Sequence, residues 1–227
     1  MVRAPVPDTS REATFCFVDL SGFTALTEAH GDAGAAELAM RFADLARQSL
    51  SSGDKLVKTL GDAVLVACGG PGPALTFLME LFRRADTQPD FPLLRAGLHH
   101  GTAVEKEGDF FGAAVNLAAR IASLAHAGQV LATAPVAHIA RQRQMEVVDL
   151  GSFELRNVRQ QVRVYALVTG EVSRGGAIDP VCQIRVGRDR AIGRLRHSGV
   201  EYWFCSLACA GAFANDPGRF MREKSRG

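Results

Sequence analysis

Two carboxylates stand at chain turns where they could bind a metal ion beside a phosphate. Asp19 ends an apolar run that starts at residue 15, and a Ser-Gly pair after it opens a predicted helix. Asp62 lies in a Gly-Asp turn between two apolar runs, which is typical of a β-hairpin over 55–67. Carboxylate oxygens bind Mg²⁺, and the N–H groups at a helix start bind phosphate. The predicted phosphate-binding turn consists of Leu20, Ser21, Gly22, Phe23 and Thr24.

A second set of polar residues lies on the hairpin and around a later helix. Lys58 shares its strand face with apolar residues, and a charge in that setting needs a partner. Asn116 and Arg120 are four positions apart on a predicted helix over 113–126, so they lie on one face of it. Asp109 precedes that helix. Taken singly, each of these residues also fits a solvated surface position.

Three stretches, in this order, resemble the catalytic domain of the class III nucleotidyl cyclases. They are Phe-Val-Asp-Leu-Ser-Gly-Phe-Thr at 17–24, Lys-Thr-Leu-Gly-Asp at 58–62 and Phe-Gly-Ala-Ala-Val-Asn-Leu-Ala-Ala-Arg at 111–120. The resemblance covers residues 13–167 and implies a ferredoxin-like α+β fold, with helices on a mainly antiparallel sheet. The order of strand and helix patterns along the chain also indicates an α+β or α/β sandwich.

The resemblance implies a cyclase reaction in which ATP becomes 3′,5′-cyclic AMP and pyrophosphate. Asp19 and Asp62 would hold two Mg²⁺ or Mn²⁺ ions, as in other two-metal phosphoryl transfers. Arg120 would stabilise the charge of the transition state, because its guanidinium is a fixed and permanently charged fork. Asn116 would orient the ribose for attack on the α-phosphorus.

Lys58 and Asp109 have the residue types that the family uses to select ATP. A donor and an acceptor match N1 and the 6-amino group of adenine, whereas guanine reverses that pattern. A guanylate cyclase is therefore the disfavoured alternative. A further alternative is a metal-binding signalling protein whose cyclase domain is silent or very slow, which the complete set of six residues argues against.

By resemblance, each active site is shared between two chains. Asp19 and Asp62 would come from one chain, and the other four residues would come from its partner. A two-fold homodimer would then hold two equivalent sites.

Two other pairs of residues have side chains that could take part in chemistry. His99 and His100 stand at a strand end and are interpreted as structural, since the implied chemistry needs neither. Arg156 and Arg159 are weaker candidates for triphosphate contacts and are assigned no role.

The last fifty residues contain three cysteines with metal-ligand spacing. Cys205 and Cys209 are one helical turn apart, and Cys182 lies in an upstream turn after Asp-Pro-Val. A domain of this length usually needs a cross-link to stabilise its fold. In a reducing compartment that cross-link is a bound metal ion rather than a disulfide. The alternative is an ordinary small core with three incidental cysteines. His197 is a weak candidate for a fourth ligand, and solvent or an effector thiol could serve instead.

This C-terminal module resembles the YHS or TRASH-type metal-binding domains, in the Asp-Pro-Val-Cys opening and in the spacing of the cysteines. The resemblance implies a treble-clef-like fold that holds Zn²⁺, Cu⁺ or another soft or borderline ion. Fusion to a cyclase domain suggests that the metal regulates catalysis.

Composition fits one or two globular domains. The chain has 227 residues, of which 47% are hydrophobic, and its net charge of +2 gives no reason to expect a nucleic-acid partner. No apolar run approaches the ~18 residues of a membrane span, so a cytoplasmic location is expected. The shift to basic residues near the C-terminus and a Gly-rich stretch indicate two units joined by a linker over 169–177, and the Pro-containing start of the chain predicts a tail over 1–12. The two resemblances imply a catalytic domain over 13–168 and a metal-binding domain over 178–222.

Overall fold

A computed structural model of the chain describes residues 9–169 and 176–221. Its helices and strands alternate along the chain as the sequence patterns predict. The strands are β1 Thr9–Leu20, β2 Lys55–Leu60, β3 Ala63–Cys68, β4 Leu94–Lys106, β5 Asp109–Phe111, β6 Val130–Thr133, β7 Val147–Phe153, β8 Val162–Leu167, β9 Ala177–Ile178, β10 Arg185–Val186, β11 Gly193–His197 and β12 Val200–Phe204. The helices are α1 Phe23–Gln48, α2 Pro71–Thr87, α3 Ala113–Leu124, α4 Ala134–Gln142, α5 Leu207–Asn215 and α6 Pro217–Met221.

One eight-stranded sheet forms the centre of the molecule. Its strand order is β2-β3-β1-β4-β6-β8-β7, and β5 pairs with β4 beside this path. The pairing of β4 with β6 is parallel, and the other pairings in this sheet are antiparallel. The prediction of an α+β domain with a mainly antiparallel sheet is confirmed.

Apolar side chains of β1 point alternately to the two faces of the sheet, and each face is covered by helices. Cys16, Val18 and Leu20 belong to the core that the sheet forms with α1, α2 and α4. Ala13 and Phe15 point to the opposite face and pack against α3. A central strand buried on both faces has this continuous apolar character.

The helix α3 lies unusually close to the sheet at Gly97. A Cβ atom at this position would stand 2.0 Å from the backbone nitrogen of Ala122 and 2.6 Å from the carbonyl oxygen of Ala118. The missing side chain therefore fixes the distance between β4 and the helix that carries Asn116 and Arg120.

The observed elements refine the boundaries of the chain. Strand β1 starts at Thr9, so the predicted tail over 1–12 is too long at its C-terminal end; residues 1–8 lie outside the described residues. Strand β4 is continuous through Gly101, because it pairs with β1 from Leu94 to Glu105. Helix α1 has a kink at Gly31, with φ 76° and ψ 163°.

The C-terminal module packs directly on α1. It contains two short hairpins and the helices α5 and α6. Leu26 and Ala35 of α1 are buried in one cluster with Cys182, Phe204 and Phe213 of the module. Most of the predicted linker, residues 170–175, lies outside the described residues, as does the predicted end of the module at residue 222. The module and the catalytic domain therefore share a core, although the sequence suggests two separate units.

Candidate active site

The two predicted metal-binding carboxylates lie side by side at one end of the sheet. Asp19 is the register partner of Ala63, next to Asp62 in the hairpin turn. The N–H of Leu20 donates a hydrogen bond of 3.1 Å to the carbonyl oxygen of Asp62, which ties the strand end to the turn. Burial raises the pKa of Asp19, and the nearby Asp62 adds to that effect, while Arg95 opposes it. Two carboxylates held this close are a natural site for divalent cations.

Arg95 belongs to the candidate site, although it is part of none of the sequence motifs described above. Its Nε donates to Oδ1 of Asp19 at 2.6 Å, and its Nη2 donates to Oδ2 at 3.0 Å. Arg95 is the register partner of Asp19 on the neighbouring strand β4. One feature of the sequence could have indicated its role. Arg95 is a charged residue in a strand whose neighbouring residues Leu94, Ala96 and Leu98 are apolar and buried, and a charge in that setting needs a partner.

The predicted phosphate-binding turn begins the helix α1. Gly22 is its N-cap with a left-handed φ of 72°, and the N–H of Leu26 donates to the Gly22 carbonyl oxygen at 2.9 Å. The Ser21 hydroxyl is buried and, within the described residues, has no hydrogen-bond partner. The first N–H groups of a helix have no intrahelical acceptor, so the turn offers donors to an anion.

A cavity of about 360 Å³ opens beside this turn. Asp62 and Arg95 line it from the sheet, and the C-terminal module adds Gln183 and Arg219. Carboxylate oxygens, backbone donors and cationic side chains thus surround one space, which suits a phosphate chain with its metal ions.

Lys58 and Asp109 meet in an ion pair away from that cavity. The Nζ of Lys58 donates to Oδ2 of Asp109 at 2.6 Å, and both residues are partly buried. A β-bulge between Leu56 and Lys58 shifts the register of β2 at this point. The hydrogen bond from Lys58 lowers the pKa of Asp109, despite some opposing desolvation. The carboxylate therefore stays ionised and able to accept a hydrogen bond at neutral pH.

Asn116 and Arg120 lie on the exposed face of α3, as their spacing predicts. The opposite face packs on the sheet through Ala114 and Ala118. Within residues 9–169 and 176–221, the cavity beside Asp62 is not lined by either of these two residues. Among the described residues, the structure therefore brings only Asp62 of the six predicted residues to that cavity. Asp19 pairs with Arg95 and does not line it, and Lys58, Asp109, Asn116 and Arg120 lie on other surfaces of the chain.

The three cysteines of the module converge with a histidine from α1. The Sγ of Cys205 lies 3.4 Å from Sγ of Cys182, 3.8 Å from Sγ of Cys209 and 3.4 Å from Nε2 of His30. All four ligand atoms lie within 4.8 Å of one another. His197 is not in this group and packs edge-on against Phe213, so the interpretation of His197 as a fourth ligand is wrong.

His99 and His100 pair with hydroxyl groups on neighbouring strands and helix starts. The Nδ1 of His99 lies 2.8 Å from Oγ1 of Thr133, and the Nδ1 of His100 lies 3.0 Å from Oγ1 of Thr14. Burial lowers the pKa of His99, and the adjacent His100 adds to this effect. These contacts fit the structural role predicted for the pair.

Comparison with known proteins identifies the family and agrees with the fold. The family model for the adenylate and guanylate cyclase catalytic domain matches residues 6–169. The crystal structure of the adenylyl cyclase CyaB from P. aeruginosa covers 75% of this chain and is itself covered in full, with a TM-score of 0.59 at 20% identity. The family model and the fold therefore define a nucleotidyl cyclase domain with an α+β architecture. The chain belongs to the adenylate and guanylate cyclase catalytic domain family.

Two relatives are named adenylate cyclases. The chain is 36% identical over 179 residues to the pH-sensitive adenylate cyclase MT1302 of Mycobacterium tuberculosis, covering 75% of this chain and 44% of that protein. It is 38% identical over 116 residues to an adenylate cyclase of Streptomyces coelicolor, covering 51% of this chain and 30% of that protein. The chain thus spans less than half of the length of either relative. Within the described residues, no helix has the length and apolarity needed to cross a bilayer.

Proposed function

We propose that the chain is a homodimeric adenylate cyclase that converts ATP to 3′,5′-cyclic AMP and pyrophosphate. The observation that carries the choice of adenine is the ion pair between Lys58 and Asp109, which holds one donor and one acceptor side by side. Adenine presents an acceptor at N1 and a donor at its amino group, so this pair can match both. Both relatives described above are named adenylate cyclases.

Each group of residues then has a separate task in the reaction. Asp19 and Asp62 supply hard oxygen ligands for two Mg²⁺ or Mn²⁺ ions, which when bound provide charge stabilisation for the phosphoryl oxygens and the attacking 3′-oxygen. The turn from Leu20 to Thr24 donates N–H groups to the phosphate chain, and the Ser21 hydroxyl is available to it.

Residues on the other surface orient the nucleotide. Lys58 and Asp109 fix the base, Asn116 holds the ribose, and Arg120 binds the α-phosphoryl oxygens as charge develops on them. Positioning matters because an aligned 3′-oxygen attacks its own α-phosphorus without a bimolecular encounter.

The separation of the two surfaces supports a site shared between chains. Leu60 and Phe111 lie next to the proposed base-binding pair and are 45% and 52% exposed. Large apolar side chains at this place suit an interface with a second copy of the chain. In a two-fold dimer, the carboxylate surface of one chain faces the nucleotide-orienting surface of the other in each of two sites.

A mixing experiment tests this proposal on the full chain. Asp62→Ala and Arg120→Ala are each expected to lose nearly all cyclic AMP formation with Mn²⁺ and ATP. When the two variants are mixed equally, about half of the dimers are mixed and each has one intact site, so about one quarter of the wild-type activity returns. Asp44→Ala and Arg47→Ala are matched controls, because these residues form an exposed ion pair on α1.

Three outcomes of this assay contradict the proposal in different ways. An absence of recovery in the mixture, with dimers confirmed by sedimentation, contradicts the shared site. A preference for GTP over ATP identifies a guanylate cyclase instead. A folded wild-type dimer that forms neither cyclic nucleotide is the silent signalling protein.

The C-terminal module is proposed to bind a soft or borderline metal ion through Cys182, Cys205 and Cys209 and to regulate catalysis. The convergence of three thiols at 3.4 and 3.8 Å supports this site, because free thiols in a reducing compartment gather in this way around Zn²⁺ or Cu⁺. Its short hairpins followed by a helix are compatible with a treble-clef-like arrangement. The proposed location is the cytoplasm.

A further inference from the structure

The cysteine cluster has the dimensions of a tetrahedral site only when a residue of the catalytic domain is counted. Bond lengths of 2.3 Å to sulfur and about 2.0 Å to nitrogen give tetrahedral edges of ~3.8 Å between two sulfurs and ~3.5 Å between sulfur and nitrogen. The edges from Cys205 are 3.4 Å to Cys182, 3.8 Å to Cys209 and 3.4 Å to Nε2 of His30. The three edges from Cys205 are thus close to the tetrahedral values, and all four ligand atoms, including Nε2 of His30, lie within 4.8 Å of one another.

We propose that His30 is the fourth ligand of a Cys₃His zinc site, so that one ion ties the C-terminal module to helix α1. His30 thereby adds a fourth ligand to the three of the proposed metal site, and this fourth ligand belongs to the cyclase domain. Three thiolates and one imidazole in tetrahedral geometry favour Zn²⁺ among the divalent ions, and four protein ligands make the site structural rather than open.

The protein holds the cysteines in place before any ion binds. Asp179 is fully buried, and its carboxylate accepts hydrogen bonds of 2.9 Å from the N–H groups of Val181 and Cys205. The Ser206 hydroxyl caps α5 by accepting from the N–H of Cys209 at 3.1 Å. These hydrogen bonds fix the turn of Cys182 relative to the other two cysteines. In metal sites, residues that bond to the ligands rather than to the ion orient the ligands in the same way.

His30 reaches the cluster because of the kink in α1. It is the last residue before Gly31, whose φ of 76° and ψ of 163° interrupt the helix. The segment from Phe23 to His30 thus connects the proposed phosphate-binding turn at its N-terminal end with the proposed metal ligand at its C-terminal end. Leu26, in the middle of this segment, is fully buried against the module.

The opposite side of the module is also joined to the phosphate-binding turn. The N–H of Leu93 donates to the carbonyl oxygen of Gln183 at 3.1 Å, and the N–H of Ser21 donates to the carbonyl oxygen of Leu93 at 2.8 Å. Gly22 lies against Cys182, since a Cβ at Gly22 would stand 3.3 Å from the carbonyl carbon of Cys182. An ion that fixes Cys182 and His30 together therefore fixes both ends of the segment that forms the turn.

Two consequences follow, and only the second depends on the proposed cyclase function. Removal of His30 weakens metal binding by the module although His30 lies outside it in sequence. Removal of the ion loosens the turn that receives the triphosphate, which raises the KM for ATP.

Co²⁺ titration of the full-length protein under a non-thiol reductant tests the first consequence. Tetrahedral Co²⁺ with thiolate ligands gives intense charge-transfer and visible bands, and Zn²⁺ then displaces it in a competition that reports affinity. The wild type is expected to bind one such ion per chain. His30→Ala is expected to bind Zn²⁺ at least about tenfold more weakly and to show altered visible bands. His30→Cys restores tight tetrahedral binding with a spectrum shifted toward four thiolates.

His197→Ala is the matched control, because it removes the histidine that lies within the module but outside the cluster. It is expected to match the wild type in spectrum and affinity. Equal Zn²⁺ affinity and identical Co²⁺ bands in His30→Ala and wild type would overturn the assignment of His30. Failure of the reduced wild type to bind either ion would overturn the whole site, as would a Cys182–Cys205 disulfide that persists in the reductant.

The second consequence is measured separately, as the KM for ATP of the metal-loaded and metal-stripped wild type in excess Mn²⁺. A several-fold rise in KM on stripping, absent in His30→Ala, is expected. An inactive protein that still shows the four-ligand spectrum would contradict the proposed function and leave the zinc site standing.

Discussion

Substitution of Gly97 by alanine is expected to disturb catalysis from beneath the active surface. The new Cβ would stand 2.0 Å from the backbone nitrogen of Ala122 and 2.5 Å from its Cα. Ordinary van der Waals contact begins at 3.4 Å, so α3 must move outward by about 1.4 Å. The obstacle is backbone, and no side-chain rotation relieves it.

The structure gives a magnitude for both stability and activity. Overpacking of a close interface costs typically about 1–3 kcal/mol, and the rigid backbone here places Gly97→Ala at about 3 kcal/mol of unfolding free energy. The displaced helix carries Asn116 and Arg120, and a misplacement of ~1 Å can lower turnover about 100-fold. The change should therefore lower kcat even where the variant is fully folded.

Urea unfolding and cyclic AMP formation at low temperature measure the two effects separately. Gly69→Ala is the matched control, because a Cβ at Gly69 would meet nothing within 4 Å. A Gly97→Ala variant whose unfolding free energy and kcat both equal those of Gly69→Ala would refute the close contact between α3 and β4 as the determinant of the helix position.

Three further predictions concern other parts of the chain. Lys58→Met should lower the kcat/KM for ATP about 100-fold with little change in unfolding free energy, since the ion pair with Asp109 is partly exposed; normal ATP turnover would contradict its role. Burial lowers the pKa of His99 below the usual 6.5. Just below pH 6.5 the unfolded chain therefore binds more protons than the folded chain, so the free energy of unfolding decreases as the pH falls. Urea unfolding across pH 5–8 should accordingly show a weaker acid-side decline in His99→Gln than in the wild type, and parallel curves would argue against it. Phe213→Ala should lower the free energy of unfolding by about 3 kcal/mol. It should also raise the rate of hydrogen exchange in the first turns of α1, near Leu26, more than in β1. Exchange that rises only within the C-terminal module would show that the module and α1 do not share a core.

The sequence was sufficient for features that depend on neighbouring residues. The hairpin around Asp62 and the helix with Asn116 and Arg120 on one face each follow from local spacing and turn chemistry. The order of these elements indicated an α+β or α/β sandwich, and the resemblance to the cyclases implied the α+β sheet.

Features that depend on strand register or distant packing could not be predicted in this way. Arg95 meets Asp19 because β1 and β4 pair in a particular register, which a single sequence does not specify. His30 meets Cys205 across 175 positions of sequence, and only the packing of the module on α1 brings them together. His197 was the nearer histidine in sequence, but its strand directs it toward Phe213.

The burial of Leu26 and Ala35 beneath the C-terminal module also affects the order in which the chain folds during its synthesis. Synthesis proceeds at about 5–20 residues per second, so roughly ten to thirty seconds separate the emergence of α1 from that of Phe204 and Phe213. During this interval the sheet strands β1 and β3 can pair, but the first turns of α1 lack the apolar surface that covers them. The proposed phosphate-binding turn is thus translated well before the module whose packing completes its surroundings.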